Sequence, residues 1–362
     1  MPLNLFRRKA YVGVDLGADS IKLMQIEPSG DQWTITRAST VATPENAIKE
    51  GMVVDSEAVA KAVRQGMKEG RISATSAIIG VSGATVIVRS VRIPAMPEAN
   101  LRKSIRFEAG RYVPSSIEDS FIEFEILGEA PENQMDVLIA AAPRELVKSR
   151  VRACIAAGLD VEVVDIEAFA QYRALVESNG SQELTDSTIA LIDIGAKSTT
   201  VSVIDQGNFA MTRCIAHGGH TLTDALMNYF KLPEEEAEKG KTQLDLANLI
   251  EGDAGTENPP LRVVQPHVDD LVREIRRSLN YFESQQTEGG QATTVSKVVL
   301  SGGGASLQGL ATYFENKLGL ETRALGAYDN DRFNVPSQFA ESHGYEMSVA
   351  TGLAMRWAVE AA

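Results

Sequence analysis

Cysteine is nearly absent: Cys154 and Cys214 are the only two in 362 residues. Neither has a CxxC partner or a metal-ligand spacing. That excludes a disulfide framework and a cysteine metal cluster, and it suits two thiols in a reducing compartment. Histidine is also scarce, with four residues. His217 and His220 share a glycine-rich turn, but no third ligand lies near them, so a zinc-type site is not expected. No run of about 18 apolar residues occurs, and no membrane-spanning helix is expected. Arg7, Arg8 and Lys9 are followed by a stretch that turns polar at Asp15, unlike a secretory signal. A cytoplasmic location follows as the expectation. Positive charge is in deficit, with a formal net charge of −14. Such a surface repels phosphate backbones and anionic lipid, which argues against nucleic-acid partners and direct membrane insertion.

What is present is an internal repeat. Asp15-Leu-Gly-Ala-Asp-Ser20 recurs as Asp193-Ile-Gly-Ala-Lys-Ser198. Each copy follows an apolar strand pattern, Tyr11 to Val14 or Ile189 to Ile192. Each then enters alternating residues, Ile21 to Ile26 or Thr200 to Ile204, a turn at Pro28-Ser-Gly30 or Asp205-Gln-Gly207, and a third strand. A chain of this length exceeds one core. Two related α/β halves facing one another would make a cleft.

Helical patterns lie between the strands. Asp55 or Ser56 can cap a helix carrying Val59, Val63 and Met67 on one face. Pro266 is placed to open a longer helix with an apolar stripe from Val268 to Phe282. Residues 90–160 read differently. A helix at Glu98 to Tyr112 precedes strands near Phe121 to Ile126 and Val137 to Ala141. A helix from Arg144 to Ala157 then places Leu146, Val147, Val151, Cys154 and Ile155 on one side. This segment has the pattern of an inserted small domain. Glu251 to Pro260 and Thr287 to Thr294 read as polar loops.

Four pieces carry the chemistry. Asp15, at a strand end, can hold Mg²⁺ through water, and Gly17 and Ala18 permit a tight turn whose N–H groups cradle phosphate. Ser20 and Lys22 add a hydroxyl and a cation. Asp193, Gly195, Ala196, Ser198 and Thr199 supply the same parts again, so two loops with two carboxylates can clamp a polyphosphate around one metal. Gly302, Gly303 and Gly304 follow the apolar strand Val298 to Leu300 and let backbone approach a flat ligand. Glu238 and Lys241 lie three apart, on one face of a helix, where they can address ribose hydroxyls and the adenine edge.

In this order the pieces resemble the actin, sugar-kinase and heat-shock-chaperone ATPase superfamily over nearly the whole chain. The resemblance implies an actin-like, ribonuclease H-like duplicated α/β fold that binds ATP and Mg²⁺. Gly17, Ala18, Asp19, Ser20 and Lys22 match its first phosphate motif. Gly195, Ala196, Lys197, Ser198 and Thr199 match its second, Gly302 to Gly304 its adenosine motif, and Glu238 and Lys241 its nucleoside segment. Asp15 and Asp193 are the implied metal carboxylates. Val164-Asp-Ile-Glu-Ala-Phe169 is similar to the first connecting segment, which makes Glu167 the implied water-orienting residue. Ala196 and Lys197 replace glycines that are common in the second loop, so at most slow hydrolysis is expected.

A finer similarity is to the PilM family of type IV pilus assembly. It rests on Val12 to Lys22, Ile105 to Pro114, Val164 to Phe169 and Arg213-Cys-Ile-Ala-His-Gly-Gly219. It implies a first lobe at 1–90, an inserted FtsA-type subdomain at 91–163, and a second lobe at 164–340. A helix at 341–362 is expected to return to the first lobe. The implied function is an ATP-binding scaffold at the inner membrane. The implied partners are the N-terminal peptide of a PilN-like membrane protein, other platform proteins and the assembly ATPase. Arg102, Lys103, Arg106 and Arg111 around Leu101, Ile105 and Phe107 form a basic and apolar island suited to peptide docking. FtsA-like filament proteins are the alternative. The final stretch, Thr351 to Ala362, shows no linker leading to an amphipathic anchor, which weakens that alternative. A sugar or acetate kinase is the third reading, and beyond Glu167 no base for it is visible.

Overall fold

The structure is a computed structural model. It describes residues 10–30, 32–112, 116–250, 258–287, 293–337, 339 and 343–359. The chain opens with β1 (Tyr11–Leu16), β2 (Ser20–Ser29), β3 (Gln32–Ala42), β4 (Ile48–Lys49) and β5 (Met52–Val53). Next come α1 (Ser56–Glu69), β6 (Ser76–Val81), β7 (Ile87–Pro94) and α2 (Glu98–Ala109). Then follow β8 (Ser120–Ala130), β9 (Gln134–Pro143), α3 (Arg144–Ala156), β10 (Asp160–Ile166) and α4 (Glu167–Tyr172). After α5 (Gln182–Thr185) the second hairpin unit is β11 (Thr188–Ile194), β12 (Thr199–Asp205) and β13 (Asn208–Ile215). The remainder is α6 (Gly219–Phe230), α7 (Glu234–Thr242), α8 (Pro259–Thr287), β14 (Lys297–Ser301), α9 (Leu310–Leu318), β15 (Glu321–Ala324), β16 (Phe333–Asn334) and α10 (Ser348–Val359).

These elements form two compact units. The first comprises residues 1–82, 145–179 and 327–362. Its six-stranded sheet runs β10-β6-β1-β2-β3-β16, with β1, β6 and β10 parallel and β1-β2-β3 antiparallel. Period-two alternation sends Val12, Val14, Leu23, Ala77 and Ile79 to the face covered by Val59 and Val63 of α1. Met24, Ile35 and Ile78 go to the other face, under α4 and α10, with Ala170, Ala350, Leu353 and Ala354. Asp55 caps α1 by accepting from the Ala58 N–H at 2.9 Å.

The second unit comprises residues 83–144 and 180–326. Its eight-stranded sheet runs β15-β14-β11-β12-β13-β7-β9-β8. The β7-β9-β8 part joins through β13, and α2 buries Leu101, Ile105 and Ala109 on it against Val91, Val137 and Ile139. The segment expected as an insertion is therefore divided: its strands and α2 belong to the second unit, and α3 and β10 to the first.

Three local expectations change. The long helix starts at Pro259, with Pro266 inside it, because Pro259 and Pro260 occupy first-turn positions that need no donor. The stripe then begins two turns earlier, with Leu261 and Val264 buried as well. Residues 251–257 and 288–292 of the two expected loops lie outside the described residues. On α3, Ile155 is 58% exposed. The buried face carries Leu146, Val147, Ser149, Arg150, Ala153 and Cys154 instead.

Candidate functional site

In the first unit, parallel strands β1, β6 and β10 bring their carboxyl ends together. Val14 pairs with Ile79, and Ile166 with Val81. In open α/β sheets this edge is where ligands bind. Asp15 is buried near the end of β1, and Lys22, facing it across the hairpin, places its Nζ 3.4 Å from Oδ2. The turn between them is pinned from outside: Thr43 donates its hydroxyl to the Gly17 carbonyl and its N–H to the Asp19 carbonyl, each at 2.8 Å. Asp19 is exposed, and Ala18 and Ser20 are half-buried.

Glu167 stands at the first position of α4, directly after β10. Its Oε1 accepts from Arg150 Nη1 at 2.7 Å, and its Oε2 accepts from Ser82 Oγ. Burial is the main force raising the Glu167 pKa, and the Asp15 charge adds to it; Arg150 opposes both. Arg150 and Ser82 were not singled out from the sequence. A lone arginine on an amphipathic helix reads as solvated, and only the fold shows the carboxylate it meets.

The second unit repeats the arrangement. Parallel β11 and β14 place Asp193 beside Ser301, just before the three glycines. Gly302 has φ +81°, and a Cβ there would lie 2.2 Å from Asp193 Oδ1. Gly303 and Gly304 enter a short helical turn at Gly303–Ser306. The loop after Asp193 is tied to the next segment: Gly219 N–H donates to the Gly195 carbonyl at 2.9 Å and His220 N–H to the Ala196 carbonyl at 2.8 Å. Thr199 is fully buried, and its hydroxyl is committed to the His217 carbonyl at 2.7 Å. Lys197 is exposed and Ser198 half-buried.

Glu238 and Lys241 share one face of α7 and pair at 2.7 Å. Lys241 is buried, and its Nζ also donates to Thr223 Oγ1 at 3.1 Å and to the Gly219 carbonyl at 3.4 Å. It therefore anchors α7 to the start of α6. The Glu238 side chain stays 46% exposed, able to meet a ligand. Thr223, which no motif marks in the sequence, donates its hydroxyl to Glu238 Oε2 at 2.6 Å.

The donor set fits a magnesium nucleotide. Each unit offers one strand-end carboxylate and a tight turn, and among the described residues no cluster of three or more His, Cys, Asp or Glu side chains could cage a metal. Mg²⁺ usually takes one or two carboxylates, keeps several waters and takes its other ligands from phosphate.

The basic island on α2 is partly spent internally. Arg102 pairs with Glu98 at 2.8 Å and lies over the Phe124 ring; Arg106 donates to the Ile117 carbonyl at 2.9 Å; Arg111 pairs with Glu108 at 3.5 Å. Phe107 is 72% exposed beside them. Among the described residues no helix is long and apolar enough to cross a membrane.

A family profile described as "Type IV pilus assembly protein PilM" matches residues 13–358, which span both hairpins, α7 and the three glycines. The solved "PilM-PilN type IV pilus biogenesis complex" aligns with TM-score 0.81 and 27% identity, over 97% of this chain and 99% of that one. MreB 5 of Spiroplasma citri, bound to AMPPNP, aligns with TM-score 0.54 and 12% identity over 98% of each chain, a likeness of fold. Cell division protein FtsA of Bacillus subtilis (strain 168) is 21% identical over 351 residues, covering 85% of this chain and 76% of that protein. With its duplicated hairpins on an actin-like α/β fold, the chain belongs to the PilM family of type IV pilus assembly proteins.

Proposed function

We propose that the chain is an ATP-binding scaffold of the type IV pilus inner-membrane platform, held there by the cytoplasmic N-terminal peptide of a PilN-like membrane protein. The observation that carries the nucleotide part is the duplicated Asp-x-Gly-Ala hairpin, which ends a parallel strand in each unit. In each unit the strand-end carboxylate, Asp15 in the first and Asp193 in the second, would meet a magnesium ion through its waters. Backbone N–H groups of 17–20 in the first unit and of 196–198 in the second would donate to phosphate oxygens, the Gly195 N–H being held by the Ser198 carbonyl at 2.9 Å. Glu238, steadied by Lys241 and Thr223, accepts from ribose hydroxyls. Bound Mg²⁺ supplies charge that offsets the phosphates. Ala196 and Lys197 stand in the second loop where glycines are common, so turnover stays well below the roughly 10 per second typical of enzymes.

The partner reading is supported by family membership and by the chain's similarity to the PilM of a PilM-PilN complex. The protein is then cytoplasmic and peripheral to the inner membrane. Calorimetry with MgATP tests the first part, and absence of heat and of any thermal shift refutes it. Fluorescence titration of the partner's N-terminal peptide tests the second, and no binding to wild type at any concentration refutes it.

A further inference from the structure

The first unit loses the chain after Ser82 and regains it at Glu145. Both ends of that excursion are tied to one carboxylate. Ser82, the last residue before it, donates to Glu167 Oε2; Arg150, on the helix that follows it, donates to Oε1. The Arg150 side chain is 2% exposed. Its Nε donates to the Gly51 carbonyl and its Nη1 to the Gly80 carbonyl, each at 2.8 Å. A Cβ on Gly80 would lie 2.5 Å from Glu167 Cγ, so β6 and the start of α4 touch with no room for a side chain. A buried guanidinium with its carboxylate and two carbonyls is a rigid junction, because removing one partner strands a charge in the interior.

We propose that Ser82 and Arg150 are positioning residues that clasp Glu167 at both ends of the 83–144 excursion, so that what Glu167 meets in the phosphate half-site is transmitted to that segment. This rests on the reading of the Asp15 hairpin as a phosphate site. Glu167 lies at the shared carboxyl edge of β1, β6 and β10 with Asp15, where a terminal phosphate or its attacking water would touch it. A small shift of that carboxylate moves two hydrogen bonds that lead to opposite ends of one excursion. Nucleotide state and the surface of residues 83–144, which includes α2 and exposed Phe107, are thereby linked, and linkage of this kind is reciprocal.

The test is amide hydrogen exchange read by mass spectrometry on the full chain, for wild type, Ser82→Ala and Glu167→Gln. Ser82→Ala removes one hydroxyl and keeps the buried ion pair, so it is the variant least able to unfold the protein. Without nucleotide, exchange in 80–86 and 145–152 should be about tenfold faster in Ser82→Ala, with β12 and β13 unchanged. With saturating MgATP, wild type should slow in those same two stretches. Both variants should lose that slowing, and Ser82→Ala should lose it while still binding MgATP by calorimetry. Wild-type exchange rates in the variants, or equal slowing by MgATP in all three, would overturn the clasp. If MgATP gives no heat with wild type, the phosphate-site reading fails and transmission fails with it; the nucleotide-free arm still decides whether the clasp exists.

Discussion

Gly302 and Asp193 are packed so closely that a single added methyl group at position 302 would sit 2.2 Å from the Asp193 carboxylate oxygen. With φ +81° and ψ 169°, Gly302 also holds a backbone conformation almost closed to other residues. Gly302→Ala should therefore cost about 1–3 kcal/mol of stability from backbone strain alone. It should weaken MgATP binding at least about tenfold by displacing Asp193. Urea denaturation and calorimetry read the two effects separately. Unchanged affinity in a folded variant would take Asp193 out of the nucleotide site.

Asp15→Ala should damage Mg²⁺-dependent nucleotide binding more than Glu167→Gln does. Asp15 is the strand-end carboxylate, and its loss also leaves Lys22 without its 3.4 Å partner. The comparison is a pair of calorimetric titrations with and without Mg²⁺. Equal losses in the two variants would contradict the division of roles.

Glu167→Ala should destabilise the fold by about 3–5 kcal/mol, because it leaves Arg150 charged and buried without a counterion. Glu167→Gln should cost less, since its amide oxygen still accepts from Arg150. Chemical denaturation of both variants checks the order, and a Glu167→Ala protein as stable as wild type would show that Arg150 finds another partner.

Cys154 is buried, and burial pushes its thiol up to about 12. The unfolded thiol ionises near 9, so the unfolded state releases its proton first. The stability this group contributes is complete below pH 9 and is lost as pH rises toward 12. Cys154→Ala should make the alkaline loss of stability shallower. In the native protein a thiol reagent should label half-buried Cys214 before Cys154. Faster labelling of Cys154 would show that α3 opens readily.

The parts of the fold legible in the sequence are those whose signal is local. Each hairpin carries strand alternation, a strand-end aspartate and a small-residue turn within about 30 residues, and Asp55 announces α1 by its own side chain. The candidate site was legible for the same reason, residue by residue, in Asp15, Asp193, Glu238 and the three glycines. What stayed hidden depends on partners distant in sequence. The Arg150–Glu167 pair spans 17 residues and two elements. Arg173 is buried against Asp165 at 3.0 Å and donates to the Gly352 carbonyl at 2.7 Å, which no window of α4 could reveal. Pro266 misled because proline most often starts a helix, yet here it lies within one that begins earlier.

The first unit is assembled from three separate stretches of chain, whereas every residue of the second precedes Ala327. Gly352 of α10 crosses α4 so tightly that a Cβ would fall 1.7 Å from the Ala170 carbonyl, and Ala350 and Ala354 complete the core beneath Met24 and Ile35. During synthesis the earliest strands must therefore wait for the latest helix, and the second unit can settle while the first is still open. A chain truncated after Gly326 should resist limited proteolysis across β11, β12 and β13 and remain cleavable across 11–82; protection of both stretches would show that β1, β2 and β3 do not need α10 to hold their shape.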